Sequence, residues 1–162
     1  MKKIVIFFAM ILLLNACSNN SDEIKSLQTQ VDSLQTKLNN TYSAGFGEMM
    51  TNIQIHHAKL WFAGKNENWD LAEYEIAEIK ETFADIEQFQ KSRAESEMVP
   101  MIEPAIDSVS QAVSEESPKM FAISFKLLTS TCNDCHLATD HSYNVITIPQ
   151  TPPFSNQQFK GE

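Results

Sequence analysis

Between Gly64 and Gly161 this chain contains no glycine, and it has only four in all its 162 residues. A fold built from many tight strand connections needs residues that tolerate left-handed backbone, so the gap argues for long, rarely interrupted elements. Apolar residues recur at helical spacing, and alternating strand patterns are hard to find. A chain of this length holds one core of useful size, with tails around it. The expectation is an all-α protein: an antiparallel four-helix bundle over residues 45–141, preceded by a signal peptide and a short heptad helix and followed by an extended, proline-containing tail from 142 to 162.

The individual helices can be placed from caps and periodicity. The first should run from Phe46 to about Ala63, with Phe46, Met50, Ile53, His57 and Leu60 on one face and Gly64 as its stop. Asn66 or Asn68 can cap the second, which shows Ala72, Ile76, Ile79, Phe83 and Ile86 on one side and fades near Ala94. Pro100 and Pro104 constrain the start of the third, which reads to about Val113. Ser117 and Pro118 form a cap and first-turn pair for the fourth, whose stripe is Phe121, Phe125, Leu128, Cys132 and Cys135, and which is expected to end about five residues beyond His136. After Ser142 the apolar residues Val145, Ile146 and Ile148 are followed by Pro149, Pro152, Pro153 and Phe154, so the tail should be extended and pack over the bundle. Trp61 and Trp69 are expected to pack at the corner between the first two helices.

The amino end reads differently. Lys2 and Lys3 precede an apolar run from Ile4 to Leu14, too short to span a bilayer comfortably, and Leu14-Asn15-Ala16-Cys17 resembles a lipoprotein cleavage box. Residues 1–16 are therefore expected to be an export signal, leaving Cys17 lipidated and the protein held outside the cytoplasm on a membrane of a bacterial cell envelope, on the periplasmic or surface side. Residues 17–44 would form the anchor and a spacer. Within them Ile24, Leu27, Val31, Leu34 and Leu38 follow heptad spacing, and Ser-Leu-Gln-Thr occurs at 26–29 and again at 33–36. So short a helix suits a spacer, with self-association through residues 24–38 as the alternative.

Loss of Lys2 and Lys3 leaves 10 basic residues against the same 21 acidic ones, so the formal charge moves from −9 to −11. That balance argues against nucleic acid as a partner and suits docking of a basic protein. No spacing of acids and bases, including Glu48, Lys59 and the Glu-rich face of the second helix, demands acid–base catalysis, and the reading is not that of an enzyme.

The run Cys132-Asn133-Asp134-Cys135-His136 carries the chemistry. Covalent haem c attachment needs two thiols to add across the vinyl groups and an adjacent imidazole for iron, and Cys-x-x-Cys-His supplies all three. Three other readings compete. A disulfide or a thioredoxin-like pair leaves His136 without a role, and zinc held by Cys132, Cys135 and His136 or His141 wants a further ligand in reach. For the second axial position the candidates are Met50 first, then Met49 and His57. In an antiparallel bundle the end of the last helix is level with the start of the first, which suits the methionines, whereas His56 and His57 lie roughly 10 Å deeper along the axis. A Met thioether would raise the reduction potential and close the iron to small ligands.

With these residues in place, roughly positions 45–141 resemble the class II cytochromes c, the cytochrome c-prime group. The resemblance implies thioether links at Cys132 and Cys135, a proximal ligand at His136 and a distal methionine, if present, at Met50 or Met49. It also implies one of two activities, electron transfer by a six-coordinate haem or binding of nitric oxide or carbon monoxide by a five-coordinate one. Leu137 stands where relatives often place a basic residue, the third helix is short, and the family offers no counterpart for the tail. A monohaem electron carrier with a redox protein partner is the leading expectation; the gas binder and a haem-free structural lipoprotein are the alternatives.

Overall fold

The computed structural model describes residues 21–38 and 44–161. Two units are distinguished, 1–43 and 44–162. The expected export signal and Cys17 lie outside the described residues. In the first unit, residues 21–38 form one helix, α1, as the heptad pattern predicts. Its seam is solvent-exposed: Ile24, Leu27, Val31, Leu34 and Leu38 are all more than half exposed. Among the described residues no helix is long and apolar enough to cross a membrane.

The second unit is all-helical among its described residues: α2 (Phe46–Lys65), α3 (Trp69–Phe89), the short α4 (Ala94–Glu97), a 3-10 turn (Val99–Ile102), α5 (Glu103–Ser114) and α6 (Pro118–Ala138). Helix α2 packs on α3 and α6, and α5 packs on α3 and α6, so the four longer helices enclose one core. This arrangement is compatible with a helical bundle.

The caps act as expected at two of the starts. Asn68 Oδ1 accepts from the backbone N–H of Leu71 at 3.2 Å, and Ser117 Oγ accepts from Met120 N at 3.4 Å, with Pro118 in the first turn where its missing N–H costs nothing. The expected faces are also the buried ones: Ala72, Ile76, Ile79, Phe83 and Ile86 of α3, and Phe121, Phe125 and Leu128 of α6. Phe121 and Phe125 are fully buried beside Trp61, and truncating either would cost roughly 3–5 kcal/mol through lost transfer energy and a residual cavity. Trp69 meets Phe121 edge-on, completing the expected corner.

Three boundaries differ from expectation. Gly64 does not stop α2, which continues to Lys65; the reversal falls at Glu67, in the left-handed region with φ 57°. What requires glycine at 64 is packing, because a Cβ there would lie 2.2–2.5 Å from three Phe121 ring carbons. Helix α3 ends at Phe89 instead of near Ala94, and Ser96 Oγ donates to the Gln90 carbonyl at 2.8 Å in the connection that follows. Helix α6 ends at Ala138, earlier than expected, with Thr139 Oγ1 donating to the Cys135 carbonyl.

The tail from 142 to 161 contains no helix and returns along the domain. Ile146 and Ile148 are partly buried while Val145 and Phe154 stay exposed. Near its end Phe159 is 6% exposed and packs on Phe62, with ring centroids 5.6 Å apart, an anchor the apolar pattern did not single out.

Candidate functional site

The amino-terminal half of α2, the carboxyl-terminal end of α6, the connection after α3 and the start of the tail enclose a cavity of about 400 Å³, within the range of about 300–1,000 Å³ common for cofactor sites. Helix α6 contributes Cys132, Cys135 and His136 to its wall, and α2 contributes Phe46, Met50, Ile53 and His57. Arg93 and Glu95 line it from the connection, joined by a 2.7 Å hydrogen bond, and Arg93 also stacks over the Phe46 ring at 4.6 Å. Asn144 and Ile146 line it from the tail.

One turn of α6 places the two cysteines on the same side, three residues apart, and both are half-buried free thiols. Burial pushes the Cys132 thiol up to about 12, with the neighbouring Cys135 adding to the effect, and burial also raises Cys135. Such thiols are poor thiolates. This disfavours a thioredoxin-like pair, which depends on a lowered thiol pKa. Among the described residues no three His, Cys, Asp or Glu side chains converge as metal ligands.

His136 is oriented by the tail. Its Nδ1 lies 2.6 Å from the backbone carbonyl of Asn144, and because a carbonyl only accepts, Nδ1 carries the proton. In the neutral ring Nε2 then holds a lone pair, the state an iron ligand requires. Asn133, between the two cysteines, grips the same stretch of tail: its Nδ2 donates to the Ile146 carbonyl at 2.9 Å, and its Oδ1 accepts from Ile146 N–H at 2.8 Å.

The axial candidates separate clearly. Met50 lines the cavity with Cys132, Cys135 and His136, whereas Met49 is 6% exposed within the core and is absent from the cavity wall. His57 lines the cavity too, but at a deeper level: its partner Thr129 precedes His136 by seven residues on α6, roughly 10 Å along the helix, as the bundle geometry predicted. Its Nε2 lies 2.9 Å from Thr129 Oγ1, whose only proton is donated to the Phe125 carbonyl; Nε2–H is therefore the donor. The ring also lies 4.5 Å from that of Phe125, and burial lowers its pKa from 6.5 to about 4. His57 is thus a neutral, hydrogen-bonded cavity-wall residue.

His56 turns away to α3. Its Nδ1 donates to Oε2 of the fully buried Glu75 at 2.6 Å, and Lys59 Nζ approaches Oε1 of the same carboxylate at 3.1 Å, a charge contact without hydrogen-bond alignment. The two partners compensate the burial of a charge that would otherwise be costly. The spacing of Glu75 from Ala72 and Ile76, on the buried side of α3, was the available signal for it. No comparable signal existed for Asn133, Thr129 or Asn144, whose partners lie on other elements or far along the chain. In comparison with known proteins, the chain matches no family model, no curated protein and no solved structure.

Proposed function

We propose that this chain is a monohaem c-type cytochrome that transfers electrons outside the cytoplasm, built as an antiparallel four-helix bundle of the class II kind and held at a membrane through a lipid on Cys17. The observation that carries the reading is the meeting of Cys132, Cys135, His136 and Met50 on the wall of one cavity. The chemistry of that donor set fits haem c, and the raised pKa of both thiols weighs against a thiolate redox pair.

Bound through Cys132 and Cys135, haem c would supply one-electron redox chemistry. The protein's own contribution is binding, orientation and exclusion of water. His136 offers Nε2 because Nδ1 is engaged by Asn144. Met50 offers a thioether from the facing helix, a ligand that raises the potential relative to a second histidine and leaves no position for carbon monoxide. Phe46, Ile53 and Ile146 supply apolar walls. An excess of 21 acidic over 12 basic residues suits encounter with a basic redox protein. The short α1 suits the role of a spacer.

The test is an optical one, on protein made in a host able to attach haem c. Haem that survives denaturation, a sharp reduced band and no response to carbon monoxide are expected, and Met50→Ala should open the site to carbon monoxide. A response in the unaltered protein would indicate a gas-binding site instead. Absence of covalent haem would overturn the reading and leave a structural lipoprotein.

A further inference from the structure

The attachment run leaves two positions, 133 and 134, that covalent chemistry does not specify. Asp134 is exposed, but Asn133 is partly buried and uses both ends of its amide on one residue of the tail, at 2.8 and 2.9 Å to the backbone of Ile146. Two residues earlier in that tail, the Asn144 carbonyl receives the His136 Nδ1 proton at 2.6 Å. A backbone carbonyl on a segment without helix would normally be free to move. Here Asn144 N–H donates to the His141 carbonyl at 2.8 Å, and the bidentate grip on Ile146 fixes the chain on the other side of that carbonyl.

We propose that Asn133 is a positioning residue that acts through the tail: by clamping Ile146 it holds the Asn144 carbonyl against His136, so that His136 is kept in the Nδ1–H tautomer and presents Nε2 to the cofactor. The three contacts form a closed circuit. Asn133 and His136 lie three residues apart on one side of α6, and their partners Ile146 and Asn144 lie two apart in the non-helical tail, so the two pairs match in register. Asn is suited to the clamp, since its planar amide offers a donor and an acceptor side by side. The tail is then part of the proximal side of the site. Hydrogen bonding of this kind fixes a ligating imidazole's orientation and raises its basicity, and a more basic ligand favours the oxidised metal. This inference rests on the proposed haem function for its effect on potential, while the tautomer itself does not depend on haem.

The experiment uses the full chain and two variants, Asn133→Ala and Ile146→Pro, the second removing the clamped N–H without altering the attachment run. In the haem-loaded protein both variants should raise the reduction potential with haem still attached. Exchange of backbone amides at 144–148 should quicken roughly tenfold or more as the segment is released. In the haem-free chain, imidazole nitrogen chemical shifts should show His136 as Nδ1–H in the unaltered protein and as a mixture of tautomers in both variants. Attached haem with unchanged potential and unchanged tautomer in the variants would overturn the proposal while leaving the cytochrome reading intact. Failure of the unaltered chain to attach haem would sink the cytochrome reading; the tautomer comparison would still decide the clamp. Should Asn133→Ala fail to fold, Ile146→Pro carries the same comparison.

Discussion

Replacing His57 by glutamine should make the protein less sensitive to acid. His57 is 3% exposed and its pKa falls from 6.5 to about 4 through burial. At pH 7 the imidazole is neutral in both folded and unfolded chains, so it contributes no pH-dependent term. Below 6.5 the unfolded chain takes up a proton that the folded one declines, and stability therefore falls as pH falls, until the slope ends near 4, where the folded form is protonated as well. A difference of about 2.5 pH units corresponds to roughly 3 kcal/mol between those limits. Glutamine cannot titrate, yet its amide can still donate to Thr129 Oγ1 as His57 Nε2 does. Urea unfolding followed by far-ultraviolet circular dichroism, at pH 7 and pH 4 for both proteins, isolates the effect, because the other titrating groups are common to both. The unaltered protein should lose about 3 kcal/mol more than the variant over this range, a further drop in midpoint of about 1–3 M urea at the usual dependence on denaturant. Parallel losses in the two proteins would refute the argument that burial holds this ring neutral.

Two further outcomes test the packing and the thiols. Gly64→Ala should destabilise the fold by about 1–3 kcal/mol, because the new methyl meets the fully buried Phe121 ring and better helix propensity recovers at most about 1 kcal/mol; a raised melting temperature would show that the ring yields. In the haem-free chain, once its helicity has been verified, Cys132 should react with iodoacetamide at pH 8 roughly a thousandfold more slowly than a free cysteine, since a thiol pushed up to about 12 has that much less thiolate; rapid alkylation, measured by mass spectrometry, would contradict the buried thiol.

Local sequence determined the elements. Helical spacing, the Asn68 and Ser117 caps and Pro118 located α3 and α6, and the heptad over 24–38 predicted a helix there, which the structure extends back to residue 21. The Cys132–His136 run is likewise legible by itself, because its spacing alone places two thiols and an imidazole within about one turn. Facing relations were decided elsewhere. Met49 and Met50 are adjacent, about 100° apart around α2, and only packing against α6 and α3 sends one into the cavity wall and the other into the core. Counting residues along an idealised bundle put His57 roughly 10 Å deeper than His136, and its hydrogen bond to Thr129 agrees with that depth; what the count could not show is that one cavity wall reaches both levels. Gly64 was read as a stop, whereas the Phe121 ring, distant in sequence, is what forbids a side chain there. The clamp of Asn133 on Ile146 had no sequence signature at all. Periodicity is a property of one segment and its own backbone; the rotation and offset between segments are set by side-chain volumes and hydrogen bonds from several at once, and only the tertiary structure contains those.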